Sequence, residues 1–225
     1  MKLFIKALSA TLLFSLSVSA HALYDAAAPE QSAAPQITPT KPGLHLVLNG
    51  GLTYGGDTIA TARYTDGSTT DIKGGALIQF GIGGLYQFED NPVALMLSAN
   101  YHVHSAFGKN GDISFSRMPI EALAYYTGKK RFRIGGGVRI VNSPEFTSTV
   151  SSPISPIKSA TFDNATGIVA EIGYQLSPQG WLNFRFVSEK YQGKLLTAWN
   201  GATASLAGSA PVSGSHLGVN FSYEF

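Results

Sequence analysis

The chain has 225 residues, of which 44% are hydrophobic, 11% aromatic and only 13% charged, with 25 glycines and no cysteine. That composition excludes a disordered polar chain. The missing thiols exclude disulfides, thiolate chemistry, cysteine-ligated metals and a lipoprotein anchor. The formal charge of +2 belongs to the precursor: without Lys2 and Lys6, 14 basic residues face 14 acidic ones, and nothing marks the clustered basic surface that nucleic acid requires.

Residues 1–22 read as a secretory signal peptide. Lys2 and Lys6 form the positive start, Ala7 to Val18 the apolar middle, and Ala20-His21-Ala22 the small-residue cleavage site, with cleavage after Ala20 as the alternative. The apolar run is shorter than the roughly 20 residues that a spanning helix needs. Residues 23–42, rich in Ala, Pro, Ser and Gln, read as a flexible periplasmic segment. Residues 43–225 carry no helical period, and alternating apolar and polar positions recur instead.

The first alternating stretch, Leu44 to Tyr54, sets Leu44, Leu46, Leu48, Leu52 and Tyr54 on one face. The second, Ala76 to Phe88, does so with Ile78, Phe80, Ile82, Tyr86 and Phe88, and Glu89-Asp90-Asn91-Pro92 turns the chain. Val93 to Val103 is the third. In the fourth, Phe115 to Tyr126, Pro119 cannot donate to a ladder and predicts a local bulge. The fifth, from Phe132, opposes Phe132, Ile134, Val138 and Ile140 to Arg133 and Arg139. The sixth, Gly167 to Leu176, opposes Ile168, Ala170 and Ile172 to Glu171. The seventh opposes Leu182, Phe184 and Phe186 to Asn183, Arg185 and Glu189. The eighth is the last decapeptide, with Leu217, Val219, Phe221, Tyr223 and Phe225 on one side and His216, Asn220 and Glu224 on the other.

Eight strands of about ten residues, joined alternately by tight and long connections, predict an all-β, transmembrane, antiparallel up-and-down barrel with short periplasmic turns and long extracellular loops. Long connections are expected over 56–75, 105–112, 142–166 and 192–214. Asp66-Gly67 makes the first of them a hairpin, and the last two are expected to be mobile. Periodicity alone does not say which face is inside, so a soluble calyx with apolar lining is the competing architecture. The aromatic terminus and the loop asymmetry favour the membrane.

This pattern, with the leader and the terminal Tyr223-Glu224-Phe225, resembles the small eight-stranded outer-membrane barrel superfamily that includes OmpA-like, OmpX-like and OmpW-like transmembrane domains. The resemblance implies residence in the outer membrane of a Gram-negative bacterium, among its lipid and lipopolysaccharide, after Sec export. It also implies recognition by the barrel-assembly machinery through Phe221, Tyr223 and Phe225. The superfamily includes adhesins, small-solute channels and lipid-modifying enzymes, and a fold does not choose between them.

Arg117, Arg133, Arg139 and Arg185 share the inward parity with Glu121, Glu171, Glu189 and Glu224. A lipid-facing charge costs roughly 2–4 kcal/mol near the midplane, so all eight belong in the lumen. Four of each sign should pair and fill a barrel this narrow. This predicts a plugged structural protein with a surface-interaction role for its loops, rather than an enzyme; a gating cluster in a narrow solute channel is the alternative. His45, His102, His104 and His216 also point inward, with His102 and His104 as the only close pair, too few for a metal site. Cofactors are not expected. Outer-membrane lipid A deacylases use a His-x-Ser pair, whereas His104-Ser105 are adjacent and fall on opposite faces. Phe146, Phe162, Leu195, Leu196 and Trp199 are expected to fold over the mouth or meet a loop partner.

Overall fold

The computed structural model describes residues 41–64, 66–150 and 156–225. The leader and its cleavage site, and nearly all of the segment expected over 23–42, lie outside the described residues. Eight strands close a barrel: β1 (Gly43–Gly55), β4 (Leu77–Gln87), β5 (Val93–Gly108), β6 (Gly111–Lys129), β7 (Phe132–Ser148), β9 (Ala165–Gln175), β10 (Gly180–Ser188) and β15 (His216–Glu224). Each pairs antiparallel with its neighbour in that order, and β15 returns to β1 through Leu48 opposite Tyr223 and Tyr54 opposite Leu217. No barrel strand is left with an open edge.

The alternation orients every strand the same way, apolar outward. Leu97, Ile134 and Phe184 are 62%, 57% and 54% exposed, while Gln79, His102 and Arg139 are fully buried. This settles the question that periodicity left open, because a calyx would place these faces the other way round. Each exposed Leu, Ile or Phe side chain forgoes roughly 1.5–3 kcal/mol of burial in water, so a whole belt of them is the exterior of a barrel that spans a membrane. Aromatic rings gather at the short-turn end, where Tyr86 meets Phe88, Phe132 meets Tyr174 and Tyr223 meets Phe225, with centroids 5.0, 5.1 and 4.8 Å apart. Rings of this kind sit at the level where hydrocarbon meets water.

Three of the expected long connections contain strand. β5 and β6 run on past the belt to a tight turn at Lys109-Asn110, so residues 105–112 form a hairpin and not a loop. β7 continues to Ser148, and β8 (Ile157–Phe162), β12 (Gly193–Ala198) and β13 (Thr203–Ser205) add to its outer half. Local composition rich in Ser, Thr and Gly reads as mobile, but cross-strand partners far away in sequence override it. The product is a six-stranded wall rising on one side of the barrel. The bulge expected at Pro119 falls instead on the partner strand. Pro119 pairs with Val141 in regular register, and the extra residue lies between Asn142 and Glu145, where Ser143 adopts φ 48°. Asn164 Oδ1 accepts from the Ser143 N–H (3.1 Å) and holds that turn.

The hairpin read from Asp66-Gly67 is present as β2 (Thr58–Arg63) and β3 (Thr69–Lys73). Asp66 Oδ1 accepts from the Ser68 N–H (2.9 Å) and hydroxyl (2.6 Å), and these two bonds hold its carboxyl below the usual aspartate range. Ionised Asp66 therefore favours the folded turn at every pH above its unfolded value, and the contribution disappears as pH falls through the lowered value. Amide exchange protection at Tyr64 and Ser68 is expected to be flat between pH 7 and pH 5. It should fall only below the ordinary aspartate range, and a loss already at pH 5 would contradict this.

Above the lumen, Ile72 of β3 inserts fully buried into a cluster with Phe115, Phe146, Phe162, Val141 and Tyr191. Tyr191 belongs to β11 (Lys190–Tyr191), which pairs with β14 (Val212–Ser213) beside the base of the β2–β3 hairpin, where the Asp57 N–H donates to the Ser213 carbonyl (2.8 Å). The Phe115 ring lies 5.6 Å from Phe162 and 5.5 Å from Tyr191. An apolar cap therefore covers the long-connection end. Phe146 and Phe162 belong to it as expected. Leu196 and Trp199 are half-buried at its margin, where Trp199 Nε1 donates to the Val150 carbonyl (2.8 Å). Leu195 is exposed and points away from it.

Candidate functional site

All eight lumen charges lie inside, between 0 and 5% exposed. They form one continuous ladder of alternating sign along the barrel axis. From the short-turn end, Glu224 meets Arg133 at 2.6 Å and Arg133 meets Glu171 at 4.0 Å. Glu171 meets Arg185 at 3.5 Å, and Arg185 meets Glu121 at 2.7 Å. Arg139 then bridges Glu121 (3.5 Å) and Glu189 (3.1 Å), and Glu189 ends the series at Arg117 (3.9 Å). The pleat creates this arrangement: each charge sits at an inward position of its own strand, and the stagger of neighbouring strands sets successive charges at successive heights.

Arg133 is the most constrained member. Its Nη1 donates to Glu224, and its Nη2 donates to Asn183 Oδ1 and Ser222 Oγ, both at 3.0 Å. Its guanidinium lies between the Tyr125 and Trp181 rings, 4.5 and 4.4 Å from their centroids, a cation–π sandwich worth more in a desolvated site than at a surface. Two glycines make the space. A Cβ on Gly135 would lie 2.4 Å from the Tyr125 ring, and one on Gly173 would lie 2.8 Å from Arg133 Cγ. Tyr125 also donates its phenolic proton to Glu171 Oε1 (2.8 Å), and Tyr191 donates to Glu189. Tyr191, outside the barrel strands, has its phenol pushed well above the ordinary range by burial, so it stays protonated and keeps its proton for that bond.

The histidines are arranged differently from the expectation. His102 touches His216 across the lumen, with rings edge-to-face at 5.1 Å, and not its near neighbour in sequence, His104. Arg117 Nη2 lies against the His102 ring, 2.7 Å from Nδ1 and 3.1 Å from Nε2, and Nε2 also faces Thr53 Oγ1 (2.8 Å). His216 Nδ1 donates to the Gly214 carbonyl (2.8 Å). His104 Nδ1 accepts from the Lys73 N–H (2.9 Å) and so anchors the β2–β3 hairpin, while Ser105 faces outward. His45 is at the short-turn rim, bonded through its ring nitrogens to the Lys41 (2.7 Å) and Phe225 (3.3 Å) carbonyls. Among the described residues no three His, Cys, Asp or Glu side chains come together as a metal-ligand set.

The side chains around the middle of the ladder leave a void of about 10 Å³, lined by Asn49, Met96, Tyr125 and Asn220 among others, close to the room needed by one water molecule. Tyr125, Trp181, Asn183 and Ser222 complete the site without having been singled out as its members. Their inward parity was available in the sequence, since Trp181, Asn183 and Arg185 alternate on one strand. Phe221 faces outward in the belt, Tyr223 donates to Gln179 Oε1 (2.7 Å), and the Phe225 N–H donates to the Leu46 carbonyl (2.9 Å).

No family model matches the sequence, and no curated protein matches it. Solved structures do. The attachment invasion locus protein Ail of Yersinia pestis, in complex with the heparin analogue sucrose octasulfate, is 10% identical; the match covers 82% of this chain and 100% of that one, with a TM-score of 0.50. Neisserial surface protein A is 10% identical over 81% of this chain and 97% of that one, with a TM-score of 0.45. The outer membrane protein OprG of Pseudomonas aeruginosa is 18% identical over 83% and 98%, with a TM-score of 0.44. At such identities the likeness to Ail is one of architecture alone, and the chain has the closed, antiparallel, eight-stranded fold of the small outer-membrane barrels.

Proposed function

We propose that the protein is an integral outer-membrane barrel that does not conduct: a rigid, internally filled scaffold that holds its wall and loops out from the bacterial surface for interaction. The observation that carries this reading is the uninterrupted ladder from Glu224 to Arg117 beneath an apolar cap. A buried ion pair adds little net stability over apolar side chains of the same volume, because desolvation offsets the attraction. Eight such charges are better understood as occupying and fixing the lumen than as stabilising the fold. A solute pathway would favour one net sign, and here four positive and four negative side chains cancel. Export through the Sec pathway and delivery to the barrel-assembly machinery through Phe221, Tyr223 and Phe225 belong to the same proposal. Catalysis has no support in His104 and Ser105, which lie on opposite faces of β5.

Conductance across planar bilayers tests the proposal. The wild-type barrel is expected to show no steady open state. Glu121→Ala, which leaves Arg185 and Arg139 without their shared carboxylate, should introduce transient openings. A steady open wild-type state that Glu121→Ala abolishes would replace the scaffold with a channel.

A further inference from the structure

The outward face of the wall carries a pattern that neither the lipid belt nor the lumen explains. Ser105 of β5 lies directly opposite Ser114 of β6, Ser114 opposite Thr147 of β7, and Thr147 opposite Ser159 of β8. Ser159 in turn faces Thr197 of β12, and Thr197 faces Thr203 of β13. One hydroxyl side chain from each of six neighbouring strands thus forms a single straight row, with a step of about 4.8 Å. A second row, nearer the belt, contains Ser116, Glu145, Thr161, Leu195 and Ser205. All of these side chains are exposed or half-exposed, and neither row includes a lysine or an arginine. Phe107, 73% exposed, stands two residues beyond Ser105 on the same face.

The face is continuous with the lipid belt. On β5 the outward series runs Leu97, Ala99, Tyr101, Val103, Ser105, and on β6 it runs Ile120, Met118, Ser116, Ser114, with no turn between the apolar and hydroxyl parts. Ser105 lies roughly 10 Å beyond Tyr101 along a tilted strand. The layer in contact there is therefore whatever lies immediately outside the hydrocarbon. A hydroxyl both donates and accepts, so an uncharged row of hydroxyls matches the hydroxyls of a sugar. An exposed ring offers an apolar plane to the C–H face of a pyranose. Phosphate would call for arginine or lysine, and the only charge in the two rows is the carboxylate of Glu145.

We infer that the outward face of this wall is a saccharide-contacting surface, which packs against the neutral core sugars of the glycolipid leaflet surrounding the barrel. The inference rests on the outer-membrane reading above. The full chain, refolded in a detergent without a sugar headgroup, is titrated with lipopolysaccharide bearing its core oligosaccharide and with lipid A lacking it, and bound lipid is counted by native mass spectrometry. The wild type is expected to bind the core-bearing lipid about tenfold more tightly. Ser114→Ala/Thr147→Ala/Ser159→Ala and, separately, Phe107→Ala should reduce that preference several-fold, with unchanged affinity for lipid A. Phe107→Ala removes only an exposed ring, so it decides the matter should the triple variant fail to fold. Equal wild-type affinity for the two lipids, a preference that survives both variants, or a sugar-independent dimer formed through this face would overturn the inference. Heat-modifiable migration of each sample separates the two levels: a folded barrel without sugar preference removes only the saccharide face, whereas a wild type that never inserts removes the outer-membrane reading itself.

Discussion

Replacing Arg133 with alanine is expected to destabilise the barrel by about 3–5 kcal/mol, the usual cost of leaving a buried charge without its partner. The loss is large because one side chain serves several others at once. Glu224 loses its 2.6 Å partner, Asn183 and Ser222 lose a shared donor, and Tyr125 and Trp181 face each other across a space the size of a guanidinium. Urea unfolding in lipid vesicles, or the temperature at which the folded band disappears on unboiled gels, would measure it. Arg117→Ala should cost clearly less, because its contact with Glu189 is 3.9 Å and that carboxylate keeps Arg139 and Tyr191. Pairing Arg133→Met with Glu224→Gln should recover part of the loss, since the charge that faced Arg133 is removed together with it. Equal costs for Arg133→Ala and Arg117→Ala would mean that the ladder is not graded as its geometry implies.

The second large effect should be confined to the mouth. Phe115 is fully buried at the centre of the apolar cap, and Phe115→Ala is expected to weaken the cap by about 3–5 kcal/mol through lost contacts and the cavity left behind. Ile72 would lose much of its seat. The β2–β3 hairpin would then be held mainly by the Lys73–His104 bond and by Asp57, whose N–H donates to the Ser213 carbonyl (2.8 Å) and whose Oδ2 accepts from the Ser213 N–H (2.8 Å). Limited proteolysis should cut within Thr58–Lys73 in the variant and not in the wild type, while the thermal transition of the barrel moves little. If the barrel transition fell together with protease resistance, the cap and the barrel would be one cooperative unit instead of two.

The strand pattern of the barrel was legible because burial is decided locally: each residue's parity fixes its face, and the energetic contrast between lipid and lumen is too large to tolerate exceptions. The eight lumen charges followed from that parity. What parity cannot supply is height and neighbour. Nothing near His102 in sequence reveals that His216 lies against it, because their meeting depends on the registers of β4 with β5, of β1 with β4 and of β1 with β15. The wall was missed for a related reason. Ser105, Ser114 and Thr147 look like loop residues one at a time, and become strand residues only through one another. The turn at Ser143 escaped because its cause, a hydrogen bond from its N–H to Asn164 Oδ1, reaches a residue 21 positions away.

The pairing of β1 with β15 also has a kinetic side. His45 and Phe225 approach each other although 180 residues separate them, and every other barrel pair joins strands that follow one another around the barrel in chain order while this one does not. Loop closure over such a distance must precede any gain from the contacts it brings. Until it happens, both terminal strands expose their N–H and C=O groups, a liability in hydrocarbon and an invitation to aggregate in water. The nascent barrel should therefore spend its longest-lived intermediate as an almost complete sheet with one seam unzipped. The residues along that seam, from Val47–Glu224 to Gly55–His216, would set the rate of assembly more than those of the lumen.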